Sequence, residues 1–112
     1  MQIILKPTSL EQLWKDRLID FEEIMKIVVD VDKNILAIDA EMHADLEKYL
    51  LESGSTQKDL WGANVYPVNK PDENLEYTSF INIRPSQGNR SMEVKDEIIR
   101  KKIKQIVNTL LV

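Results

Sequence analysis

The chain of 112 residues contains no cysteine, one histidine, three glycines and two tryptophans. The first absence excludes disulfides and thiolate chemistry and fits an intracellular protein. With one histidine and no cysteine, a metal site would have to be carboxylate-rich, of the Mg²⁺ type; no metal site is expected, and no cofactor is indicated. No apolar run approaches the roughly 20 residues that span a bilayer, so a membrane is not an expected partner. The start, Met1-Gln-Ile-Ile-Leu-Lys-Pro7, lacks a charged opening and a small-residue cleavage site, and no signal peptide is expected. Phosphate-loop, dinucleotide-fold and nucleophile-elbow glycine patterns are missing. Cytoplasm is the expected compartment.

Apolar residues make up 43% of the chain and charged residues 30%, enough for one modest core, so residues 1–112 read as a single domain. The net charge of -4 argues against broad nucleic-acid binding, but it is unevenly spread. Residues 84–112 carry seven basic and three acidic side chains, while the remainder carries eight and sixteen. Such polarity orients an anionic partner toward the C-terminal third, or favours a homo-oligomer.

Taken in order, Gln2–Leu5 reads as a strand ended by Pro7. Thr8-Ser-Leu-Glu11 reads as a capping box before a helix from Ser9 to about Asp20, with Leu10, Leu13, Trp14, Leu18 and Phe21 at helical spacing. Met25–Val31 and Ile35–Ile38 form a hairpin turned by Asn34, which tolerates a left-handed backbone. Asp39 caps a helix from Ala40 to about Glu52, stopped at Gly54. Asp59–Tyr66 and Glu76–Arg84 are the next strands, and a last helix runs from Asp96 to Leu111. The order β-α-β-β-α-β-β-α predicts an α+β two-layer sandwich, a mainly antiparallel sheet with helices packed on it.

Candidate chemistry centres on Ile81-Asn-Ile-Arg-Pro-Ser-Gln-Gly-Asn-Arg-Ser91, where an apolar run opens into a polar loop. Strand alternation would place Phe80, Asn82 and Arg84 on one face. Arg84 and Arg90 would then hold an anionic small molecule, with Asn82, Gln87 and Asn89 orienting it and Trp61 and Asn64 nearby. The structural alternative pairs Arg84 with Asp59 and makes Asn89 and Ser91 turn and cap residues. His43, in Glu41-Met-His-Ala-Asp45, is a candidate general base if it approaches Arg84, and otherwise a half-buried histidine that the helix dipole keeps neutral. Gly62 beside Trp61 marks a close approach to the strand. Lys101, Lys102 and Lys104 read as a solvated helix face.

The strings Glu41–Asp45, Asp59-Leu-Trp-Gly-Ala-Asn-Val-Tyr-Pro67 and Ile81–Ser91 together resemble a family of small prokaryotic single-domain proteins of unknown function, over nearly the whole chain. The resemblance implies a stand-alone prokaryotic cytoplasmic protein and transfers no activity, substrate or residue role. Two functions remain open: a binding or interaction domain with a polar anion pocket, or a small hydrolase or transferase acting on a phosphorylated or carboxylated molecule.

Overall fold

A computed structural model describes residues 1–18 and 23–112. Its elements are β1 (Gln2–Ile4), α1 (Leu10–Asp16), β2 (Met25–Asp30), β3 (Ile35–Ile38), α2 (His43–Glu52), β4 (Leu60–Val65), β5 (Leu75–Glu76) and α3 (Glu97–Leu110). The strands form one antiparallel sheet in the order β1-β3-β2-β4-β5. The α+β class and the element order are as expected.

Alternation along the central strands divides the core. Ile27, Val29, Leu36, Ile38, Trp61, Ala63 and Val65 face α1 and α3, whereas Val28, Ala37 and Leu60 face α2. Helices therefore cover both faces of the sheet rather than one. Helix α3 fully buries Ile103, Ile106, Val107 and Leu110, each worth roughly 1.5–3 kcal/mol. Helix α2 buries only Leu46 and Leu50, which makes it the more lightly held cover.

Local signals explain most boundaries. Asn34 turns the β2–β3 hairpin at φ 57°, and the buried Asp30 carboxylate fixes it by accepting from the Asp32 and Lys33 amides at 2.9 Å and from Ser55 Oγ at 2.6 Å. Gly54 closes α2 at φ 106°, with the Ser55 amide donating back to the Leu50 carbonyl. Asp96 caps α3 by accepting from the Ile98 and Ile99 amides.

Four further expectations are corrected. The α1 cap is Ser9, which accepts from the Gln12 amide, because the Thr8 backbone is engaged with Leu110 and Val112. That helix ends at Asp16, and Asp20 and Phe21 lie outside the described residues. Asp39 does not cap α2. It sits at φ 73° and its Oδ1 accepts from the Leu18 amide, so the helix begins only at His43. The strand expected over Glu76–Arg84 stops at Glu76, and residues Phe80–Asn82 and Pro85–Gln87 form short 3₁₀ turns. Ser79 initiates the first turn by accepting from the Ile81 amide, which removes the alternation expected of a strand.

Candidate functional site

The outer edge of β4 organises the loop that follows β5. Asn64 and Val65 pair with Glu76 and Leu75, and there the neighbouring backbone ends. At Gly62 the next partner is a side chain. Asn82 Oδ1 accepts from the Gly62 amide at 2.9 Å, and its Nδ2 donates to the Gly62 carbonyl at 3.0 Å. A carboxamide carries the same donor and acceptor as a peptide group, so Asn82 continues the ladder where β5 has left it. The same Nδ2 also donates to the Met92 carbonyl at 3.0 Å.

Arg84 takes the next position. Its Nη2 donates to the Leu60 carbonyl and lies 3.5 Å from Glu47 Oε2, while Nη1 donates to the Gln57 carbonyl at 2.7 Å and to Gln87 Oε1 at 3.5 Å. Nε donates to the Ile81 carbonyl at 3.0 Å, and the guanidinium lies 4.7 Å from the Trp61 ring centroid. Arg84 is 8% exposed. Burial pushes its pKa down, and Glu47 opposes that shift. With five partners for its five N–H groups, the guanidinium is committed within the protein. Its ion-pair partner is Glu47, not Asp59.

Asn89 closes the loop. Its Nδ2 donates to the carbonyls of Asn82, Ser91 and Glu93 at 2.7–2.9 Å, and its Oδ1 accepts from the Lys95 amide at 3.0 Å. Arg84 and Asn89 exchange backbone hydrogen bonds around Gly88, which adopts φ 78°. Gln87 reaches back to the Lys58 carbonyl at 3.1 Å. Arg90 is exposed, and none of the described residues forms a hydrogen bond or ion pair with it. Among the expected site residues, Asn82, Arg84, Gln87 and Asn89 thus gather into one network, with Trp61 beneath Arg84.

His43 lies farther along β4. Its Nε2 is 2.8 Å from the Ala63 carbonyl, and burial together with the Lys26 charge lowers its pKa. Asn64 is buried beside it. Its Nδ2 donates to Glu76 Oε1 and the Thr78 carbonyl, and Trp61 Nε1 is buried with no hydrogen-bond partner among the described residues. Gly62 is the close approach anticipated from the sequence: a Cβ there would lie 2.5 Å from Ser79 Cβ, 2.7 Å from Ser79 Oγ and 3.2 Å from His43 Cδ2. Gly62→Ala is therefore expected to cost about 3 kcal/mol in thermal unfolding, and Ser79→Gly in the same chain to recover most of it.

A family model described as "Protein of unknown function (DUF5674)" matches residues 2–110. The chain belongs to this family. No curated protein and no solved structure matches it. In this DUF5674 chain, no group of three or more His, Asp or Glu among the described residues is arranged to hold a metal ion. No described helix is long and apolar enough to cross a membrane.

Sequence reasoning missed Glu47 and Phe80. Glu47 stands four residues after His43, so one helix face carries both toward β4 and the loop, and that spacing was a usable signal. Strand alternation puts Phe80 on one face with Asn82, whereas the 3₁₀ turn separates them, leaving Phe80 exposed and Asn82 buried.

Proposed function

We propose that this chain is a small cytoplasmic binding or interaction domain that docks a protein partner through the turn bearing Phe80 and Ile83. Arg90 would meet an acidic group of that partner. The reading rests on an inversion of polarity in the loop. Asn82, Arg84 and Asn89 are 0%, 8% and 4% exposed, while Phe80 and Ile83 are 77% and 43% exposed. Loops ordinarily place such residues the other way round. Here the polar side chains form a stiff internal mount, and an aromatic and an aliphatic side chain are held outward on it. Rigid aromatic anchors and arginine are favoured at binding hot spots.

An anionic small molecule at this loop would find the Arg90 guanidinium, because that of Arg84 is occupied. The same occupancy deprives the enzymatic reading of its electrostatic stabiliser, and no observation favours a second function.

The test places a photocrosslinking benzoylphenylalanine at Phe80 or, as a control, at Val68, which is 72% exposed elsewhere. The reading expects a discrete protein adduct from position 80, lost when Arg90→Glu is added, and none from position 68. An adduct of twice the 13.0 kDa chain mass would identify the partner as a second copy. Equal labelling from both positions, or indifference to Arg90→Glu, would contradict the reading. Phe80→Ser alone should leave the melting temperature within about 2 °C, as for other exposed substitutions.

A further inference from the structure

His43 is the first residue of α2, and Met42 before it supplies no side-chain cap. The start of this helix is fastened to the sheet by the histidine itself. A carbonyl oxygen only accepts, so the 2.8 Å contact with Ala63 assigns the proton of the neutral ring to Nε2. The ring edge lies against Gly62, where no side chain intervenes.

Each element around the imidazole contributes a polar or charged neighbour. Lys26 of β2 lies in register with Asn64 of β4 and Glu76 of β5, one row across three strands. Lys26 Nζ donates to the Glu41 carbonyl at 2.7 Å, and Asn64 holds the Glu76 carboxylate at 2.8 Å. Ser79 closes the side toward the loop. On its own helix, Glu47 is turned to Arg84. The groups that act on the ring are thus the Lys26 ammonium, the Asn64 amide and the Ala63 carbonyl, while the Glu76 and Glu47 carboxylates are engaged with Asn64 and Arg84.

We propose that His43 is an acid-sensitive latch: neutral, it holds the first turn of α2 on β4, and protonated, it lets that turn go. Protonation leaves the Nε2–H donor in place, so the hydrogen bond to Ala63 is not what fails. The cost arises from keeping a cation out of water, beside the Lys26 ammonium and at the positive end of a helix dipole. Burial is the largest effect on the ring and lowers its pKa, as Lys26 does; the Ala63 carbonyl and Asn64 oppose them in part. The folded-state pKa therefore lies below the released value of 6.5. The latch contributes fully above the released value and weakens as pH falls from there through the folded value. Farther along, α2 is held by the buried Leu46 and Leu50 and by the Glu47–Arg84 pair, so the part that protonation frees is its first turn.

The test is amide hydrogen exchange of the intact chain at pH 7.5 and 5.5, corrected for intrinsic rates, in wild type and His43→Gln. Glutamine keeps an N–H donor and does not titrate. In the wild type, α2 should lose protection at the lower pH while α3 keeps it, and in His43→Gln α2 should keep its pH 7.5 protection. Equal losses in α2 and α3, or the same α2 loss in both proteins, would overturn the proposal. Should the variant not fold, the wild-type imidazole can be titrated by NMR, unambiguously because it is the only histidine. A pKa below the free value with α2 resonances shifting on the same curve supports the latch; a pKa at or above the free value overturns it.

Discussion

Replacing Asn82 by alanine is expected to lower stability by about 3 kcal/mol, a fall in Tm on the order of 10 °C or more. The side chain is fully buried and serves three backbone groups, the Gly62 amide, the Gly62 carbonyl and the Met92 carbonyl. Truncation leaves those groups away from water without partners, which costs more than the lost hydrogen bonds alone. Asn82→Asp separates hydrogen bonding from packing. It preserves the shape and the acceptor but cannot donate, so it turns a carboxylate toward the Gly62 and Met92 carbonyls. It should destabilise at least as much as alanine. Thermal melting of both variants decides: an aspartate variant close to wild type would mean that shape, not the amide, holds the loop.

Arg84→Ala has the second large expected effect, a loss of about 3–5 kcal/mol in urea unfolding. It abandons the carbonyls of Ile81, Gln57 and Leu60 and leaves the half-buried Glu47 carboxylate without its cation. Arg84→Lys should recover little, because a single ammonium cannot reach carbonyls disposed around a planar fork. Glu47→Gln in the Arg84→Ala background should restore part of the loss, since it removes the stranded charge. Additive effects of the two substitutions would show that the 3.5 Å pair carries no coupling. If Arg84→Ala unfolds within about 0.5 kcal/mol of wild type, the guanidinium is not a structural pin and the anion-binding role expected from the sequence regains its ground.

The elements that were legible in the sequence are those set by neighbours along the chain. Asn34 in a tight turn, Gly54 after an apolar stripe and Asp96 before another each act within a few residues, and all three behave as their side-chain chemistry dictates. Asp39 misled because its chemistry suits two uses. It could cap the adjacent helix, but instead it accepts from Leu18, 21 residues earlier. The run Tyr77–Ile83 misled for a related reason. Its composition suits a strand, yet an asparagine side chain can do the work of a peptide group, and nothing local says that Asn82 will do so for Gly62.

Of the candidate site, the polar composition of the loop was legible in the sequence. The structure joins its Asn82, Arg84, Gln87 and Asn89 in one internal hydrogen-bond network. Asn89 binds within seven residues of itself, but Asn82 reaches Gly62, Arg84 reaches Glu47, Gln57 and Leu60, and Gln87 reaches Lys58, all 20 or more residues away, so whether these groups faced inward could not be read locally. Arg90 faces solvent without a partner among the described residues, and of the loop's two arginines it is the one left to meet a ligand or a binding partner.

The central claim is that side chains of the loop complete the outer edge of β4. Hydrogen exchange of the single Gly62 amide tests it most directly, because the bond to Asn82 Oδ1 is that amide's hydrogen bond on this edge. The Gly62 amide should exchange as slowly as the β4 amides that face β2. In Asn82→Ala it should become far faster while those β2-facing amides keep most of their protection. A Gly62 amide that exchanges freely in the wild type would contradict the account.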